Sequence, residues 1–261
     1  MADFSIVTEV TGYNVTDEQI ERMYARYHFA SSFCEDKNVL EVACGSGQGL
    51  GYLGKKAKKV IGVDIDKKLL EITKRHYDGR DKIRLMQADA QQLPFKNKSF
   101  DIVILYEAIY YLPYPERFIE ESYRILTDEG ILLICTANKD WCDFNPSPYS
   151  TKYFSARELY SLLKQNFSNV KIYVAFPIFD SVKDKVISLI KRIAVKFHLI
   201  PKTMKSKEFF KRIFCGKLFP LPPEIKNGMA KYASPIPTSY DLPNYQYKVL
   251  FAIGYVNEVV S

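Results

Sequence analysis

An open, mostly parallel α/β sheet flanked by helices is predicted by three observations. Seven short apolar runs are spread along the 261 residues, amphipathic segments of helical period lie between most of them, and the first run ends in a glycine-rich turn. Asn38 to Ala43 is the first run, opening into Gly45, Ser46 and Gly47. Val60 to Val63, Ile83 to Gln87, Asp101 to Tyr106 and Gly130 to Ala137 follow, each of a length suited to a buried parallel strand. Val170 to Phe176 and Tyr247 to Tyr255 complete the set, separated by about 70 residues, too many for a simple loop.

The helices are legible from caps and spacing. Thr16 and Gln19 form a capping-box pattern, and Ile20, Met23, Tyr24 and Tyr27 then recur at helical spacing, so a helix precedes the first strand. Lys67 to Tyr77, Pro115 to Leu126 and Ser155 to Phe167 read as further helices, the last opened by the Ser155/Glu158 capping pair. The expected organisation is a helical cap over 1–37, a core over 38–178, a basic helical insertion over 179–246 between the last two strands, and the final core strand within 247–261.

Composition narrows the function classes. Hydrophobic residues make up 47% and charged residues 26%, the balance of a folded domain and not of a disordered chain. Neither a leader peptide nor a membrane-spanning run is visible, and five cysteines without a CxxC pair suggest neither a disulfide framework nor a metal site, so a cytoplasmic protein is expected. The net charge of +7 is concentrated: residues 181 to 217 carry 11 Lys or Arg against Asp184 and Glu208, a local +9 that leaves the rest at −2.

The informative stretch is Glu41-Val42-Ala43-Cys44-Gly45-Ser46-Gly47-Gln48-Gly49. Glycines at the carboxyl end of a strand permit a sharp turn and bring backbone N–H groups against a ligand. Glu41 places a negative charge just before that turn, where a pyrophosphate is unwelcome and the ammonium of an amino acid moiety is favoured. Leu50 stands where a dinucleotide fingerprint has its third glycine. Asp64 ends the second strand, fifteen residues past Gly49, and suits a pair of ribose hydroxyls; a helix N-cap is the plainer role for an acid there. Asp89 and Ala90 end the third and suit the exocyclic amine and a ring nitrogen of a purine.

Together, Glu41 to Gly49, Asp64, Asp89 and the stretch from Asp101 to Leu112 resemble the class I S-adenosylmethionine-dependent methyltransferases, over roughly residues 20 to 175. The resemblance implies a Rossmann-like sheet of seven strands and S-adenosylmethionine as cofactor, with Tyr27, Glu41, Ala43, Gly45, Gly47, Asp64, Ile65, Asp89, Ala90 and Tyr106 as its contacts. Glu41 stands where most relatives have Asp.

Because a sulfonium is an activated methyl donor, such an enzyme mainly holds donor and nucleophile in line in a dry pocket. A hydroxyl acceptor benefits from a base, for which His28 and Glu107 are the candidates, and Tyr106, Tyr110 and Tyr111 are candidate walls. The expected acceptor is a small, anionic molecule such as a nucleotide- or lipid-linked sugar. In the insertion, Val182, Val186, Leu189, Ile190, Ile193, Phe197 and Ile200 share one face of a cationic amphipathic helix, read as a lid over the acceptor or as a contact with an anionic membrane. Two other readings stand beside this one: a nucleic-acid methyltransferase using the lysines of 202–217, and a protein that binds the cofactor without turnover.

Overall fold

The computed structural model describes residues 10–178 and 218–257. In chain order the strands are β1 (Asn14–Val15), β2 (Asn38–Val42), β3 (Lys59–Asp64), β4 (Ile83–Gln87), β5 (Phe100–Tyr106), β6 (Leu126–Ala137), β7 (Asn169–Pro177), β8 (Phe219–Pro220), β9 (Ile236–Pro237) and β10 (Tyr247–Tyr255). The helices are α1 (Asp17–Ser31), α2 (Leu50–Gly54), α3 (Lys67–His76), α4 (Pro115–Ile125) and α5 (Ala156–Leu163).

Eight strands form one sheet in the order β4-β3-β2-β5-β6-β10-β7-β9. β4, β3, β2, β5 and β6 are parallel neighbours, whereas β10 inserts antiparallel between β6 and β7, with Leu250 opposite both Thr136 and Val174. The seven runs read from the sequence are all strands. The eighth is the two-residue β9, which pairs with the edge of β7 and carries no alternating pattern of its own.

Alternation along the buried strands explains the layering. Val39, Val60, Ile102, Ile104, Leu133 and Phe251 face α1 and α2, packing with Met23, Tyr24, Leu50 and Leu53. Leu40, Val42, Val103, Leu105, Ile134 and Leu250 face α4 and α5, packing with Phe118, Ile119, Leu159 and Leu163. Both faces of β2 and β5 are therefore apolar, which is why these strands read as continuous runs.

Local signals set the helix ends. Thr16 accepts from the Gln19 backbone while Gln19 returns a bond to the Thr16 backbone, and Ser155 and Glu158 repeat that arrangement at α5. α5 stops at Leu163, short of the sequence expectation, because the next residues turn so that Phe167 can lie against Gly254 of β10. The amphipathic reading of 182–200 and the lysines of 202–217 lie outside the described residues. No described helix is long and apolar enough to cross a membrane.

Phe118 has no exposed surface between α4 and the sheet. Phe118→Ala should lower unfolding free energy by roughly 3 to 5 kcal/mol, read by urea denaturation; a loss below 1 kcal/mol would mean that this layer is not the core.

Candidate active site

The site lies where β2, β3 and β5 end and α1 crosses them. After β2 the chain turns through left-handed residues: Ala43 at φ 56°, Gly45 at 57° and Gly47 at 79°. The two glycines adopt this region freely, whereas Ala43 holds it at a steric cost. The turn is fastened from three sides. Asp64 Oδ2 accepts the Gly45 N–H at 2.8 Å, the Tyr77 hydroxyl donates to the Gly47 carbonyl at 2.7 Å, and the Thr73 hydroxyl donates to the Gly45 carbonyl at 3.2 Å.

Residues 10–15 and 219–229 fasten it from outside. Gly12 N–H donates to the Leu221 carbonyl and Leu221 N–H to that of Tyr13, both at 2.8 Å, which joins β1 to β8 as a two-stranded strap. The strap touches the turn where Thr11 N–H meets Ser46 Oγ at 3.2 Å and Ile225 N–H meets the Gln48 carbonyl at 2.9 Å. Glu224 ties it to α3 and the turn that follows, accepting from Arg80 at 2.8 Å with His76 Nε2 at 3.2 Å. The described end of the insertion thus packs on the glycine turn.

Two consecutive residues of α1 address two strand ends. The Tyr27 hydroxyl donates to Glu41 Oε1 at 2.5 Å, and Arg26 Nη1 lies 3.5 Å from Glu107 Oε1. Burial pushes the Glu41 carboxyl up from 4.5 to about 7, with the Tyr27 hydroxyl and the Arg26 guanidinium pulling the other way. Among the described residues, Glu41 Oε2 is buried without a partner, as is the Tyr106 hydroxyl, whose ring lies 5.6 Å from that of Tyr27. Tyr27 leans so closely on Gly49 that a Cβ there would fall 1.8 Å from its ring.

Asp64 is buried and uses both oxygens on backbone, Oδ1 taking the Asp66 N–H at 2.8 Å. The N-cap of α3 is Asp66, through the Lys68 N–H, so Asp64 does not serve as that cap. Each carboxylate oxygen can accept more than one hydrogen bond, so further acceptor capacity remains. Ile65 is exposed beside it, and Asp89 is exposed at the end of β4, accepting the Gln91 N–H, with Ala90 buried next to it.

Glu107 follows β5 at φ 51°, a left-handed conformation for a residue with a side chain. Its Oε2 accepts from the Tyr110 hydroxyl at 3.0 Å, and Cys135 Sγ approaches Oε1 at 3.9 Å. Tyr110 stacks on Tyr153, with ring centroids 4.7 Å apart, and Tyr111 and Phe144 extend the aromatic wall.

His28 stands elsewhere. Its Nδ1 is 3.0 Å from the Tyr52 hydroxyl and its ring is 4.0 Å from that of Tyr232. Residues two apart on a helix point roughly 200° from each other, so His28 faces α2 and the strap side while Arg26 faces Glu107. Burial and the nearby Lys56 lower its pKa.

Sequence reasoning missed Arg26, Cys135 and Tyr153. Arg26 had a signal: it lies three residues past Met23 on the apolar stripe of α1, and a charge on a buried stripe needs a partner. Cys135 and Tyr153 carried none, since only the sheet order and the loop after β6 bring them to Glu107.

The fold is an open α/β sheet, and such folds bind their ligands outside the carboxyl ends of the strands, where these residues gather. Residues 40–134 match the family model described as a methyltransferase domain. A probable S-adenosylmethionine-dependent methyltransferase of Mycobacterium tuberculosis is 29% identical over 170 residues, which are 61% of this chain and 60% of that protein. A phthiotriol/phenolphthiotriol dimycocerosates methyltransferase of Mycobacterium ulcerans is 34% identical over 125 residues, 46% of this chain and 45% of that one. The chain thus spans about 60% or less of the curated relatives named here. Among solved structures, an S-adenosylmethionine-dependent methyltransferase from Thermotoga maritima superposes with a TM-score of 0.57 at 17% identity, covering 92% of each chain, a likeness of fold. Residues 40–134 thus match a methyltransferase domain, and the sheet shares the Rossmann-like fold of that solved methyltransferase.

Glu41 binds its proton more tightly folded than unfolded between about pH 4.5 and 7, so its contribution to stability falls as pH rises through that window. Glu41→Gln keeps an acceptor for Tyr27 and should melt above the wild type at pH 8, the difference vanishing below about pH 4.5; equal melting temperatures at both pH values would contradict this. Gly49→Ala should displace the Tyr27 ring and lower the melting temperature by several degrees; a crystal structure of the variant with Tyr27 unmoved would show the contact to be soft.

Proposed function

We propose that this protein transfers a methyl group from S-adenosylmethionine to a small-molecule acceptor at the ends of β2, β3 and β5. The observation that carries the reading is the pair of buried polar atoms without partners among the described residues, Glu41 Oε2 and the Tyr106 hydroxyl, beside a glycine turn in left-handed conformation. An unpaired carboxylate oxygen in a dry site is unfavourable alone and fits the ammonium of a methionine moiety.

On this reading Glu41 and Tyr106 receive the methionine end, with Tyr27 holding the other Glu41 oxygen. The backbone of Ala43, Gly45 and Gly47 lies along it. Asp64 accepts the ribose hydroxyls beside Ile65, and Asp89 and Ala90 meet adenine. Bound, the cofactor supplies a sulfonium methyl group. The chain's own work is then to align the acceptor, exclude water and take a proton where the nucleophile carries one.

Glu107 is the proposed base for a hydroxyl acceptor: it is partly exposed, fixed by Tyr110 and set at the mouth of the aromatic wall. His28 is the weaker candidate, because its placement toward Tyr52 and Tyr232 separates it from Glu107. Tyr110, Tyr111 and Tyr153 suit an acceptor with an apolar or aromatic body, such as a lipid-linked biosynthetic intermediate. The names of two relatives point the same way, the dimycocerosates methyltransferase and the demethylmenaquinone methyltransferase of Clavibacter sepedonicus. On sequence alone, the basic residues 181–217 are proposed to steer an anionic acceptor or to touch an anionic membrane from the cytoplasmic side.

Asp64→Ala should weaken S-adenosylmethionine binding by about 1 to 3 kcal/mol, the loss expected for hydroxyls left unpaired. Isothermal titration checks it, and wild-type affinity in the variant would remove Asp64 from the donor site.

A further inference from the structure

The Arg26–Glu107 pair does something that neither methyl transfer nor acceptor binding requires of it. Arg26 is buried on α1, next in sequence to the Tyr27 that bonds Glu41 at the end of β2. It reaches Glu107 directly at 3.5 Å, and its charge is felt at Glu41, at the Tyr106 hydroxyl and at the Cys135 thiol. Among the described residues, Asp64 also acts on Glu41 from β3, and Arg22 acts on Cys135 from one turn earlier on α1. Tyr27, Tyr106 and Cys135 fill the space around the cluster, and all three are buried.

In such surroundings a unit charge acts over many ångströms. A permanent guanidinium beside the proposed methionine subsite repels any further positive charge brought there. S-adenosylmethionine brings two, an ammonium and a sulfonium, whereas its demethylated product retains only the ammonium. We infer that Glu107, by pairing with Arg26, screens that guanidinium from the sulfonium and so sets how strongly the site prefers the charged donor to its neutral-sulfur product. The inference rests on the donor-site reading above and assigns Arg26 and Glu107 a joint role in donor discrimination, Arg26 acting as a positioning residue. No contact between Glu107 and the donor is needed. The left-handed backbone at Glu107 and the Tyr110 hydroxyl bond hold the carboxylate turned toward Arg26.

The test is isothermal titration of S-adenosylmethionine and S-adenosylhomocysteine into the full chain and its variants. Glu107→Gln should weaken both ligands through their ammonium, and the donor about tenfold more than the product through its sulfonium, so the ratio of the two affinities falls about tenfold. Adding Arg26→Met in the same chain should return the ratio to the wild-type value, while Arg26→Lys alone should preserve it. Because both ligands are measured on each variant, a misfolded protein reveals itself by losing both. An unchanged ratio in Glu107→Gln, or a double variant whose ratio stays low, overturns the inference while leaving the donor site standing. A wild-type protein that binds neither ligand overturns the donor-site reading and this inference together.

Discussion

One helix laid across the carboxyl ends of a parallel sheet is the constraint on which the rest of the site depends. α1 contributes Met23, Tyr24 and Tyr27 to the core on one side of β2 and β5, and the same packing delivers Tyr27 to the buried Glu41 carboxylate and Arg26 to the half-buried Glu107 carboxylate. A carboxylate in that position is tolerated only with a donor or a cation beside it. The apolar stripe of α1 and the two polar contacts are therefore one design: Glu41 is held by Tyr27 of the helix, and Glu107 by Arg26 of the helix together with Tyr110.

The sheet supplies what α1 needs to act upon. Parallel strands end together, so Glu41, Asp64 and Glu107 arrive at one edge although they are spread over more than sixty residues of sequence. The turn after β2 is fixed by backbone conformation and by Thr73, Tyr77 and Asp64 before any ligand is considered. Such prior fixation lowers the ordering that binding would otherwise require. Ala43, left-handed without being glycine, shows that the neighbouring hydrogen bonds outweigh a local steric preference.

The strap of β1 and β8 extends the same logic outward. It joins the start of the described chain to the segment that follows the insertion, and Leu221 and Ile225 bury themselves between the strap and the core. The insertion's described end thus belongs to the glycine-turn side, while β9, a little further on, extends the sheet beyond β7. The described part of the connection from β7 to β10 therefore reaches both flanks of the domain.

Local chemistry was enough to determine much of this protein. The seven main strands, the capping boxes at Thr16 and Ser155 and the glycine turn all follow from short-range rules, namely apolar runs, side-chain caps and glycine's freedom at positive φ. Nothing local announces which side chains meet across the fold. That Arg26 pairs with Glu107, that His28 turns to Tyr52 and Tyr232 instead, and that Tyr153 stacks on Tyr110 were decided by the rotation of α1 over the sheet and by the path of the loop after β6. The position of β10 between β6 and β7 was decided in the same way, because strand order is a property of long-range packing and leaves no periodicity in the residues themselves.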